Sequence, residues 1–314
     1  SDTYGSKSTA LGRNALTTQN FTTATDSYNT AVGYNAALEL TTGIQNTIIG
    51  GQAGDAVTTG TNNTYVGYGA ATADDGSQQN VVIGAQAATN MNHGNEVGYQ
   101  TIVGFQASYY NVTGLSNTFV GFKAGFGVSG NSNANNTGVG SNALLGITDG
   151  NYNTAVGEGA GYYVTTGDYN VSIGRAADQV TTNGTHNISI GGLSKPSAAG
   201  SSHEIVLGYN VTGTGSSTFT FGNAGSDTTC SFGSTTWSNP SDARIKEEIE
   251  DEVVGLSFIN DLRPRTFRYR KEKDIPEELI THVADSEERL ISDKYQHGFV
   301  AQEVKEAIDK HSGL

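Results

Sequence analysis

The sequence predicts a mainly β protein: a trimeric, repetitive shaft of β-roll or β-helix type, built from repeats of about 17 residues and followed by a small α+β domain. Three observations carry this. A five-residue phrase, Asn-Thr-x-Val/Ile-Gly, recurs from Asn29 to Gly208. Glycine is concentrated with it, 39 of 42 glycines preceding residue 241. Charge follows it: residues 1–240 hold 5 Lys/Arg and 13 Asp/Glu, residues 241–314 hold 12 and 18. The chain therefore divides into a shaft at 1–208, a β-rich transition at 209–240 and a charged module at 241–314.

The phrase reads NTAVG at 29–33, NTIIG at 46–50, NTYVG at 63–67 and NVVIG at 80–84, and closes as EIVLG at 204–208. Its second position is Thr, Val or Ile and its fourth is Val, Ile or Leu. The position between them is free, taking Ala31, Tyr65, Val82, Phe119, Gly138 and Ser172. Such alternation is a β-strand with one buried face, and the constrained Val and Thr are expected to wall a thin core. The terminal Gly allows a positive φ or a close approach to the neighbouring repeat. Ala recurs three residues later, from Ala36 to Ala177, as at a tight corner. Thr-Thr-Gly at 41–43, 58–60 and 165–167 marks the outer turn. Asn opens nine of the eleven phrases and can bond the next rung or its own turn, as stacked Asn ladders do.

One chain of this design buries little apolar surface, and three chains sharing an axis bury more. A homotrimer is expected. At about 4.8 Å per rung, eleven rungs span roughly 50 Å. Tyr34, Tyr68, Tyr99, Phe105, Phe122 and Tyr209 follow the phrase-ending Gly directly or nearly so. They read either as a glycan-contacting stripe or, preferably, as packing between protomers.

The net charge of −14 argues against a nucleic-acid partner. The single Cys230 excludes an intrachain disulfide. No run of 18 apolar residues exists, so no spanning helix or membrane insertion is expected. The six histidines lack metal-ligand spacing and read as surface residues, and Asp74-Asp75 reads as a solvated loop pair. No cofactor or metal is expected. The chain starts without Met inside a degenerate repeat (Leu11-Gly12), as a fragment or processed product would.

In the transition, Phe219 and Phe221 alternate as in a strand, and Trp237 is the only Trp. Pro240 then ends extended structure, and Ser241 or Asp242 can cap a helix in which Ile245, Ile249, Val253, Leu256 and Ile259 recur at helical spacing. Leu262–Arg270 alternates Phe267 and Tyr269 with Arg, as a short strand does. Residues 271–295 are charged and irregular, and Val304 and Ile308 share one side of a final amphipathic helix.

Three blocks stand in order here: Ser-Asp-Ala-Arg-Ile-Lys at 241–246, Leu-Arg-Pro-x-Thr-Phe-Arg-Tyr at 262–269 and Gly-Phe-Val-Ala-Gln-Glu-Val at 298–304. Together they resemble the intramolecular chaperone domain of phage tailspikes and endosialidases, the peptidase S74 family. The repeats resemble the heads of trimeric autotransporter adhesins and parts of phage tail fibres. The first resemblance implies a trimeric chaperone that helps the upstream fibre fold and in many members cuts itself off. It assigns Ser241 as nucleophile and Lys246 as general base, with Arg244 available to lower the lysine pKa. Without it, Ser241 is a helix cap and Lys246 a surface lysine.

The resulting expectation is a virion tail fibre for host attachment, assembled in the host cytoplasm, with at most single-turnover autoproteolysis beside Ser241. Its expected partners are itself, other tail proteins through a missing N-terminal part, and a host surface glycan or outer-membrane receptor. The alternatives are a tailspike depolymerase, which needs two positioned carboxylates, and a bacterial trimeric adhesin.

Overall fold

The computed structural model describes residues 4–234, 255–279, 281–291 and 293–311. The chain divides into two compact units, Ser1–Pro240 and Ser241–Leu314.

The first unit is a β-solenoid. Thirteen short parallel strands, from Thr9–Leu11 through Thr218–Asn223, stack in sequence order, one strand per turn. Each phrase pairs with the same residues of the next: Thr30 opposite Thr47, Ala31 opposite Ile48, Val32 opposite Ile49. The register survives longer rungs, Thr9 pairing with Thr30 at the start of the stack. Val81 pairs with Thr101 and Thr118 with Thr137, because the extra residues are taken up in the turns. The mainly β repetitive fold read from the sequence is therefore the observed one. The transition continues it: Thr218–Asn223 adds a parallel strand, and Thr228–Ser231 closes the sheet antiparallel to it.

The invariant residues do what their chemistry allows. The Asn46 backbone N–H donates to Asn29 Oδ1 at 3.0 Å, while Asn46 Nδ2 donates to the Gly60 carbonyl at 2.8 Å. The backbone half of the pattern recurs from Asn63 to Asn187, and all of these amides except Asn80 also donate to a carbonyl of their own turn, so the buried amides join turn to adjacent rung. Gln100 keeps the ladder intact, accepting from Asn117 N at 3.2 Å. At the turns, Thr41 Oγ1 donates to Thr58 O at 3.0 Å, and Thr165 Oγ1 to Thr182 O at 3.0 Å. Gly33, with φ +139°, shows why the phrase ends in glycine: a Cβ there would strike the Gly50 carbonyl oxygen of the next rung.

One expectation is reversed. The unconstrained middle residue faces the interior: Ala31, Tyr65, Val82 and Phe119 are 0% exposed. The Val or Ile after it faces outward, as at Ile49 (37%) and Ile190 (36%). The interior tolerates any size because neighbours compensate. Phe119 occupies space left by Gly125 and Gly138, where added Cβ atoms would lie 2.5 and 2.8 Å from its ring. The Ala three residues after nine of the eleven Gly lines the same interior, Ala36 through Ala177 being fully buried.

Outside the solenoid, aromatic rings form columns. Tyr152, Tyr169, His186 and His203 stack with centroids 4.9 Å apart at each step. Tyr99 stands just ahead of its phrase, as Tyr152 and Tyr169 do, and so in a different column from Tyr34, Tyr68, Phe105, Phe122 and Tyr209, which follow the Gly. All six are exposed, from 44% for Phe105 to 61% for Tyr99.

In the second unit, helix α1 (Leu256–Asp261) precedes the strand Arg265–Phe267, which pairs antiparallel with Gln296–Gly298. Helix α2 (Ala301–His311) follows. The short strand and the final helix are thus where the sequence places them. The helical spacing from Ile245 to Val253 lies outside the described residues.

Candidate functional site

The shaft buries several ionisable groups. Asp74 is buried, not solvated as the sequence suggested, while Asp75 is exposed. Asp74 occupies a corner that Val57, Ile147 and Val164 fill in other rungs. It accepts from Tyr65 Oη at 2.6 Å and from Ser77 N at 3.1 Å, with Ser77 Oγ also bonded to it. Burial raises its pKa despite these donors. Asp178 is likewise buried and raised, accepting from Thr181 N at 3.1 Å. Glu204 replaces Asn in the last phrase and accepts from Ser197 Oγ at 2.5 Å and Ser197 N at 3.1 Å. His93 is buried as well, against the surface reading, with Nε2 3.1 Å from Gly114 O, and burial lowers its pKa. Each acid is satisfied by hydroxyl and backbone donors close by in its own turn, a structural use of a carboxylate.

The second unit brings together two sequence blocks that are about 30 residues apart in the chain. The strand of the Leu262–Tyr269 block pairs with His297 and Gly298 at the start of the last block. Arg265 then grips Glu303 of α2 with two bonds, Nε–Oε2 at 2.8 Å and Nη2–Oε1 at 2.6 Å. This fork-to-fork pair holds the Glu303 carboxyl below its usual range. Asp261 at the end of α1 meets both Lys310 Nζ at 2.9 Å and His311 Nε2 at 2.5 Å, tying α1 to the end of α2. Lys271 and Lys273 flank Glu287 and hold its carboxyl down at about 2. A cavity of about 390 Å³ is lined by Tyr269, Ile275, Pro276, Leu279 and Leu290. The alternating arginines of the strand signalled Arg265; nothing in the local sequence signalled its partner, 38 residues away.

Residues 241–313 match the family model described as Chaperone of endosialidase (Peptidase S74). The C-terminal unit is a chaperone-of-endosialidase domain. No curated protein and no solved structure matches the chain. In this chaperone unit the second and third blocks are in contact through the strand pair and the Arg265–Glu303 bond. The first block, with Ser241 and Lys246, the nucleophile and base expected from the sequence, and Arg244, lies outside the described residues.

The described part of the chaperone unit exposes many large apolar side chains. Ile259 is 57% exposed, Ile291 61%, Tyr295 64%, Phe299 52% and Ile308 41%; Ile275 and Ala307 are among its buried residues. Among the described residues of the chain, no helix is long and apolar enough to cross a membrane, and no group of three or more His, Cys, Asp or Glu is placed to hold a metal ion.

Proposed function

We propose that this chain is the shaft and folding end of a homotrimeric attachment fibre of tail-fibre type, whose C-terminal domain trimerises, aligns the shafts and then releases itself next to Ser241. The observation that carries the reading is the sequence of parts: a chaperone-of-endosialidase domain at 241–313 directly after a solenoid of near-identical rungs. Near-identical rungs offer many wrong registers between chains, and slow non-local pairing leaves strand edges open meanwhile. A terminal module that associates first raises the local concentration of the shafts and sets their alignment. The uncovered Ile259, Ile291 and Phe299 of the chaperone unit supply apolar surface for that association.

Release uses Ser241 as nucleophile and Lys246 as the base that takes its proton, one peptide bond being cut per chain. External partners follow from the fibre reading: a host surface glycan or outer-membrane receptor along the shaft, and other virion proteins at its far end. Intact-mass measurement of the full chain beside Ser241→Ala tests the release step. The expected result is a break next to Ser241 in the wild type only. An uncut, full-length mass for both proteins overturns it.

A further inference from the structure

Along each strand the two outward positions are more restricted in sequence than the inward one between them, and a lone solvated chain supplies no reason for that. In all eleven phrases from Val32 to Leu207 the fourth residue is Val, Ile or Leu. These side chains point outward; Ile83 and Val156 are 38% exposed and Leu207 44%. Strand propensity alone does not account for the choice. Thr is as good a strand former and fills most second positions, yet it never takes the fourth. Apolarity itself is selected there. Neither outward position of the strand carries a charge in any phrase. The position after the Gly, by contrast, ranges over Tyr34, Ala85, Ser141, Glu158 and Arg175. Charges on exposed strands are the usual protection against association, and this face lacks them.

We propose that this continuous row of aliphatic side chains is the surface on which a second and a third copy of the shaft dock in register. The inference rests on the trimeric reading above and adds the face. The period decides the occupant. The row offers one aliphatic side chain per strand spacing of about 4.8 Å over the whole stack, and only a partner with the same spacing over the same length covers it evenly. A second copy of this shaft has both by construction. The size also fits: eleven side chains with several tens of Å² uncovered on each, together with the neighbouring threonines, approach the roughly 800 Å² per partner of a stable interface. In-register docking sets identical rungs level, which explains why the second and fourth positions vary so little while the inward middle position varies freely.

Single cysteines in a Cys230→Ser background test the face in the full-length chain. Ile83→Cys and Ile173→Cys place a thiol at the fourth and ninth positions of the row; Thr166→Cys places one on an exposed turn of the same solenoid. Native mass gives the oligomeric state and a short bis-maleimide reports which thiols meet. The expected result is a trimer that cross-links at both row positions and not at Thr166→Cys. A trimer that links only at Thr166→Cys, or at none of the three, overturns the face and leaves the trimer standing. A monomeric wild type overturns the trimeric reading and the docking face with it.

Discussion

The two units are held together by different means. In the shaft, buried amides, backbone ladders and small interior side chains supply the contacts, and each rung is stabilised by the rungs on either side. Lys7–Asp26 is the ion pair of the described shaft. In the chaperone unit the pattern is inverted: ion pairs such as Arg265–Glu303 and Asp261–Lys310 tie the elements, while large aliphatic and aromatic side chains stay in water. Exposed ion pairs contribute little on their own. The contrast teaches that a shaft protomer buries its interior within one chain and exposes one apolar row, whereas the described part of the chaperone unit leaves many large apolar side chains exposed. That division suits the proposed roles, in which the chaperone unit associates first and the shafts follow.

Substitutions inside the rungs probe the contrast most strongly. Phe119→Ala is expected to destabilise the shaft by about 3–5 kcal/mol, as a large buried aromatic does when truncated. Gly138→Ala presses on the same ring and is expected to cost about 1–3 kcal/mol. The double variant should be less destabilised than the sum, because each relieves the strain or void left by the other. Denaturant unfolding of the four proteins measures this, and strict additivity would show that the two sites do not share the interior space.

A break in the amide ladder comes next. Asn136→Ala strands the Asn153 N–H and the Gly150 carbonyl, for about 1–3 kcal/mol. Arg265→Ala in the chaperone unit removes an exposed pair and is expected to shift thermal unfolding less. If the order came out reversed, the view that the shaft depends on its interior and the chaperone unit on its partners would need revision.

The smallest effect is in pH. Burial lifts the Asp74 pKa above its unfolded value of about 3.9, so the folded shaft holds that proton more tightly than the unfolded chain. The contribution is fully present below the unfolded pKa and is lost as pH rises through the folded one. Asp74→Asn stays neutral throughout. Its melting temperature relative to wild type should therefore be higher at pH 7.5 than at pH 4, and an equal difference at both values would mean that Asp74 is not raised.

Much of this was legible in the residues. Gly33 and its equivalents announced a close approach between rungs, and the structure finds a carbonyl there. The nine Asn announced a ladder, and it runs through both predicted partners, next rung and own turn. The blocks at 262–269 and 298–304 announced the chaperone domain, which the family match shows. Asp74 and His93 were misread because exposure depends on whether a corner points in or out, and a loop-like sequence is silent on that. The Arg265–Glu303 bond was invisible because it joins positions that only folding brings near.

The sequence by itself determined the period, the strand in each rung, the glycine that closes it and the amide that bonds it to the next. These are local matters: backbone sterics and hydrogen bonding act within a few residues, and repetition makes them plain. Only the tertiary structure decided which side of the strand is inside. A period-two alternation marks two faces without naming either, since that depends on how the corners turn the chain over each strand. Here they turn it over the variable residue, so Phe119 and Gly138 fit each other inside while the constant Val and Ile stand in a row outside.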